Sequence, residues 1–220
     1  MTTVKAQLSI SLDGFVAGPD QDLDNPIGVG GSRLHEWMLA TASWRRQHGE
    51  RGGERGPDDA IAAGLVEGIG AFIMGRKMFG GGDGDWDPSW TGWWGEDPPY
   101  HGPVYVLTGH PRDPLPMQGG TTFYFVTDGV ESALEQARVA AGGQDVSVLG
   151  GASAVRQYLA AGLLDELQLH LVPIVLGAGE RLFEDVGHPA ITPIEVVTSP
   201  RVTHITYRLA QDAGRRRPAP

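Results

Sequence analysis

The stretch from Val146 through Ser147, Val148, Leu149, Gly150, Gly151, Ala152, Ser153 and Ala154 to Val155 constrains this chain more than any other. Val146, Val148 and Leu149, set between polar and glycine neighbours, read as a short strand buried on both faces. From Ala152 to Ala161, Val155, Tyr158 and Leu159 recur on one side, with Ser153 near the start and Gly162 at the position of a C-terminal cap. A strand therefore runs into a helix through two glycines. The first amides of such a helix are unpaired and carry the positive end of its dipole, so a diphosphate can dock there unless a side chain blocks the approach. Gly150 and Gly151 remove that block. The motif alone leaves a second reading open, a tight βα turn without a ligand, because Gly-Gly-x-Ser is far less specific than a P-loop.

The rest of the chain supplies further strands and helices for this unit to pack on. Val4, Ala6, Leu8 and Ile10 alternate as a first strand over residues 4–11, which leaves through Asp13-Gly14 and ends at Gly18-Pro19. Residues 20–32 are polar and glycine-rich and read as a mobile loop. Within them Gly28-Val29-Gly30-Gly31 follows no strand, which argues against a dinucleotide fingerprint. A helix is expected over 33–46, with Leu34, Trp37, Met38 and Ala42 as its core stripe, and another over 61–69. Residues 71–74 form a short buried strand, left through Gly75-Arg76-Lys77. Two cations at a helix start oppose its dipole and suit a bound anion; a pair of solvated side chains is the alternative.

Residues 80–101 crowd glycines and acids around Trp86, Trp90, Trp93 and Trp94. A connection this long covers a site or an interface, and the indoles are expected first to pack on the core, then to line a flat pocket or to meet a second subunit. Strands at 104–107 and 123–126 and a helix at 131–141 precede the glycine turn, an alternation that makes a parallel sheet covered on both faces. Leu167, Leu169 and Leu171 then alternate with Gln168 and His170. The last strands, 195–198 and 202–209, are joined by Ser199-Pro200-Arg201, so the sheet is expected to end antiparallel.

Composition narrows the function. In 220 residues, a formal charge of −10 argues against nucleic acid, whose phosphates need clustered Lys and Arg. The one basic run, Arg215-Arg216-Arg217, falls in a Gly/Pro/Ala tail, 211–220, expected to be disordered. No apolar run approaches the roughly 20 residues that span a bilayer and no signal sequence opens the chain, so a cytoplasmic protein is expected. The absence of cysteine excludes disulfides, thiolate metal sites and cysteine nucleophiles, and His35, His101 and His170 lack metal-ligand spacing, so no metal site is expected.

The ordered set Ser9-Ile10-Ser11-Leu12-Asp13-Gly14, Ile73-Met74-Gly75-Arg76-Lys77, Val106-Leu107-Thr108, Leu149-Gly150-Gly151 and Leu164-Asp165-Glu166-Leu167 through Pro173 and Leu176-Gly177 resembles the dihydrofolate reductase superfamily. Within it the chain is most similar to the reductase domain of the riboflavin-biosynthesis deaminase-reductase and its free-standing relatives, over about residues 3–209. The resemblance implies one α/β domain over 1–210, dihydrofolate reductase-like and doubly wound, with a mostly parallel central sheet and an antiparallel C-terminal hairpin. It also implies an NADPH-dependent reductase acting on a small heterocyclic or carbonyl compound, of the kind represented by 5-amino-6-(5-phosphoribosylamino)uracil reductase, and a homodimer.

Carried over by position, the resemblance assigns Ser9 and Ile10 to the nicotinamide carboxamide and Ala17 and Gly18 to a loop closing over that ring. Gly75, Arg76 and Lys77 fall near the adenosine 2′-phosphate, Leu107 and Thr108 beside the adenine ribose, and Leu149, Gly150, Gly151, Ala152 and Ser153 at the diphosphate. Relatives join the glycine pair by a cis peptide. Trp37 and Trp86 are candidates for substrate contact, and Asp13 and Glu36 for proton transfer. Dihydrofolate reductases carry an acid on their first helix where this chain has Leu34, with Glu36 two residues on, which weakens the folate reading. A deaminase half would need zinc-binding cysteines. Folate-type activity, or a non-catalytic nucleotide- or drug-binding protein on the same fold, are the alternatives.

Overall fold

The computed structural model describes residues 2–82 and 84–210; the expected disordered tail, 211–220, lies outside the described residues. In chain order the elements are β1 (Val4–Ser11), β2 (Phe15–Ala17), α1 (Glu36–Leu39), α2 (Ala42–Gln47), α3 (Pro57–Gly64), β3 (Ile69–Gly75) and α4 (Arg76–Phe79). There follow β4 (Pro103–Leu107), β5 (Leu115–Pro116), β6 (Thr122–Val126), α5 (Val130–Ala140), β7 (Asp145–Gly150) and α6 (Ala152–Ala160). The chain closes with β8 (Glu166–Val172), β9 (Glu180–Arg181), β10 (Ile191–Thr198) and β11 (Thr203–Leu209).

Nine strands form one sheet in the order β10-β11-β8-β1-β7-β3-β4-β6-β5. The six from β8 to β6 are parallel, whereas β11 and β10 add an antiparallel hairpin at one edge. The expected mostly parallel α/β fold with an antiparallel C-terminal hairpin is thus what forms. The central strands β3 and β4 are almost wholly apolar because both faces are covered. On β3, Ala71 and Ile73 enter the cluster under α5 and α6, while Phe72 and Met74 enter a second cluster on the opposite face with Val104, Val106 and Phe123. Trp86, Trp90 and Trp94 pack on that second cluster, the first of the expectations for the aromatic loop.

Two helices differ from the sequence reading. The stretch 33–46 is broken at Thr41, which takes an extended conformation, caps α2 by accepting from the Trp44 amide, and bridges to Glu54. The 61–69 helix instead runs earlier, from Pro57 to Gly64, with Pro57 at its first turn beside Asp58 and Asp59, where the dipole favours acids. The loop read as mobile is bonded into a compact unit: the Gly18 amide donates to Ile27 O at 2.9 Å and that of Val29 to Pro19 O at 2.8 Å. No helix among the described residues is long and apolar enough to cross a membrane.

Candidate functional site

The carboxyl ends of β1, β7, β3 and β4 bring the sequence candidates to one edge of the sheet. The Gly150–Gly151 peptide between β7 and α6 is cis. Gly150 has φ of 133°, a region that disfavours side chains, but Gly151 lies at φ −65° and ψ −171°, open to any residue. A Cβ built on Gly151 meets nothing within 4 Å, so the approach to the first turn of α6 is clear. Gly151 O accepts from Ala154 N at 3.0 Å and from Val155 N at 3.2 Å, so the Ala152 and Ser153 amides precede the first intrahelical bonds. Ser153 is exposed and Ala152 buried, with Leu149 half-buried behind them. Gly75 sits against the same turn: its Cβ position is 3.6 Å from Gly151 N and 3.7 Å from Gly150 O.

Around this turn, Ser9 and Ile10 are both buried. Ala17 pairs with Glu180 on β9, and Gly18 leads into a cavity of about 290 Å³ bounded by Asp20, Lys77, Gly179 and Glu180. Lys77 Nζ is 3.1 Å from Glu180 Oε1, and Arg156 also reaches Glu180, at 3.6 Å. Arg76 and Lys77 open α4, which is one turn long and stops at Gly80. Arg76 is committed to the aromatic loop. Its Nε donates to Gly82 O and one Nη to Gly84 O, both at 3.0 Å, and longer bonds reach Gly81 O and the Thr108 hydroxyl. Its guanidinium stacks on Trp86 with Cζ 3.1 Å from the ring centroid. Leu107 ends β4, and the Thr108 amide donates to Val126 O.

Asp13, Glu36 and Trp37 sit in other surroundings. Asp13 accepts from the amides of Leu176 and Gly177 at 3.1 and 2.7 Å. The Ser11 hydroxyl and then those amides hold its carboxyl low, at about 2, and these bonds tie the β1–β2 turn to the 176–177 loop. Glu36 is exposed because the phase of α1 turns its neighbour Trp37 inward. Trp37 is 3% exposed and gives its indole N–H to the Ser9 hydroxyl at 3.0 Å, so it offers no ring face to a substrate. Trp86 is half-buried, with one face under Arg76 and its N–H on His110 O.

Sequence reasoning missed a buried polar chain. His170 and His204 are bonded Nδ1 to Nδ1 at 2.8 Å, and His204 Nε2 lies 3.1 Å from Asp58. A histidine in an alternating strand was the only signal, and its partner on β11 becomes visible only once the strands are in register.

A doubly wound sheet with a glycine turn at the carboxyl ends of its strands defines an α/β fold with a crevice for a small ligand. Residues 2–205 match the RibD C-terminal domain, and the chain belongs to that family, which comprises RibD-like reductases. Among curated proteins, a stretch of 44 residues is 46% identical to the uncharacterized protein YyaP of Bacillus subtilis (strain 168), covering 20% of this chain and 23% of YyaP. A putative riboflavin biosynthesis protein from Shewanella sp. PV-4 shares the fold with a TM-score of 0.62 at 20% identity, over 95% of this chain and 99% of that one. A pyrimidine reductase-like protein from Corynebacterium diphtheriae does so at 0.55 and 14%, over 96% and 93%. A diaminohydroxyphosphoribosylaminopyrimidine deaminase/5-amino-6-(5-phosphoribosylamino)uracil reductase from Thermotoga maritima does so at 0.54 and 12%, over 95% of this chain and 57% of that one. At these identities the likeness shows the fold alone.

Proposed function

We propose that this chain is an NADPH-dependent reductase that transfers a hydride to a small polar heterocyclic or carbonyl substrate, of the type of 5-amino-6-(5-phosphoribosylamino)uracil reductase in riboflavin biosynthesis. It acts as a cytoplasmic homodimer. The observation that carries this reading is the open approach at Gly151, beside Gly75 and at the carboxyl ends of β7 and β3. The residues fit the cofactor: the Ala152 and Ser153 amides and the Ser153 hydroxyl would hold a diphosphate, and Lys77, Arg76 and Thr108 would hold a 2′-phosphate. Ser9 and Ile10 on β1, with Ala17 and Gly18, would flank the nicotinamide.

When bound, the cofactor supplies the hydride. The chain's share is orientation and exclusion of water, since a hydride donor and its acceptor must be held in contact and in line. Arg76 can reach a phosphate only by releasing the carbonyls of Gly81, Gly82 and Gly84, so selectivity for the phosphorylated cofactor is coupled to movement of the aromatic loop.

A thermal-shift screen of pyrimidines, pterins and small carbonyl compounds with NADPH present tests the proposal, followed by loss of nicotinamide absorbance with each hit. A compound that raises Tm only with NADPH and oxidises it is the expected result. A chain that binds neither NADPH nor NADH refutes the reading.

A further inference from the structure

Glu180 lies between two cations at the mouth of the crevice. Its Oε1 is 3.1 Å from Lys77 Nζ and its Oε2 is 3.6 Å from an Nη of Arg156. Lys77 comes two residues after Gly75, whose Cβ position is 3.6 Å from Gly151 N, and Arg156 is the fifth residue of α6. One carboxylate on β9 thus bridges the two elements that flank the glycine turn. Glu180 also bounds, with Lys77, Gly18 and Asp20, the cavity of about 290 Å³.

The backbone that carries this carboxylate is fixed. Ala17 pairs with Glu180 and Phe15 with Arg181, the Leu182 amide donates to Gly14 O at 3.1 Å, and the Leu182 side chain is fully buried. A Cβ on Gly179 would collide with Ala17 O, so β9 is pressed closely onto β2. The Glu180 side chain is held far less tightly. It is 28% exposed, and its partners Lys77 and Arg156 are 59% and 23% exposed. Rotation about its own bonds can therefore carry the carboxylate into water with no shift of the strand. Arg156 keeps its place when that happens, because it also donates to Arg181 O at 3.1 Å and to Glu184 at 2.9 Å.

Charge gives the carboxylate its role. Arg156 stands toward the positive end of the α6 dipole, with Lys77 across the glycine turn, and Glu180 offsets this accumulation of positive charge. A phosphate arriving at the first turn of α6 competes for the same two cations, since it too is an anion with several acceptor oxygens. We propose that Glu180 is a built-in competitor for phosphate, holding Lys77 and Arg156 until the cofactor's phosphates take them, a role that rests on the reductase reading for the identity of the incoming anion. The carboxylate sets a threshold. A weak, singly charged anion does not displace it, whereas a diphosphate, with more charge and more acceptors, does.

Glu180→Gln keeps the size of the side chain and removes its charge. The test is calorimetric titration of wild-type and variant protein with inorganic pyrophosphate. Glu54→Gln serves as the control, removing the same charge from the pair with Arg201 at the β10–β11 hairpin. Glu180→Gln is expected to bind pyrophosphate about fivefold more tightly than wild type, the worth of one exposed ion pair, and to lose that affinity more steeply as salt is added. An affinity that is unchanged, lowered, or raised no more than in Glu54→Gln overturns the proposal, since a merely structural Glu180 would lower Tm and tighten nothing. If Glu180→Gln lacks a cooperative melt, Glu180→Asp decides instead: one methylene shorter, it cannot span both cations, and pyrophosphate affinity at the wild-type level counts against the proposal. NADPH is titrated on the same samples. Tighter pyrophosphate binding in proteins that bind no NADPH refutes the reductase reading and leaves Glu180 as the competitor at an anion site. NADPH binding with no gain in pyrophosphate affinity from Glu180→Gln does the reverse.

Discussion

Gly151→Val is the sharpest perturbation of the turn between β7 and α6. The backbone there, φ −65° and ψ −171°, accepts a side chain, and a Cβ meets nothing within 4 Å. The added isopropyl group projects into the space through which a phosphate would reach the Ala152 and Ser153 amides. Losing one charge-assisted hydrogen bond costs about 1.5–3 kcal/mol, which corresponds to a rise in the NADPH Kd of roughly tenfold to a hundredfold. Melting and NADPH titration on the same preparation are the assay. Gly150→Ala is the contrast: at φ 133° it strains the backbone, so it should lower Tm. Wild-type NADPH affinity in a folded Gly151→Val protein would refute the reasoning, since the phosphates would then lie elsewhere.

NADPH should bind at least about tenfold more tightly than NADH through charge-assisted bonds to the 2′-phosphate, and Arg76→Ala should narrow the gap by weakening NADPH; equal dissociation constants contradict this. Stability should fall on acidification. The folded pKa of His170, about 3, lies below its ordinary 6.5, so its contribution is complete above 6.5 and is lost as pH falls toward 3. The slope approaches roughly 1.4 kcal/mol per pH unit in that window, and a pH series of urea unfolding that is flat from neutrality to mild acid would exclude it. Ile191, Ile194 and Val196 on β10 are 41, 42 and 58% exposed, so Val196→Lys should shift the proposed dimer toward monomer. Sedimentation of the wild-type chain at 23.5 kDa would remove the dimer.

The parts of the fold legible in sequence were those governed by local pattern. The apolar runs of β3, β4 and β7 announced strands buried on both faces, and Gly150-Gly151 announced the turn, because both signals lie within a few residues. The break at Thr41 was not legible: it depends on Glu54, whose amide donates to Ala40 O and whose carbonyl accepts from Ala42 N. The site divided in the same way. Gly75 and Gly151 could be named from their turns, yet their mutual contact, the capture of Arg76 by loop carbonyls, and the pairing of His170 with His204 all depend on residues far apart in sequence. The core stripe read from Leu34 and Trp37 holds, with the Trp37 indole N–H satisfied inside by Ser9, a partner the sequence does not reveal.

The two ends of the nine-stranded sheet bear on how far association of this chain can go. At one end β5 has two residues, the second of them Pro116; at the other β10 carries Pro193, with a bulge between it and Glu195. A proline offers no N–H to a further strand, and a bulge bends the ladder out of register for edge-to-edge growth. The apolar side chains of β10 therefore invite contact through a face, while both borders resist the addition of strands. A sheet bordered in this way is guarded against running on into fibres.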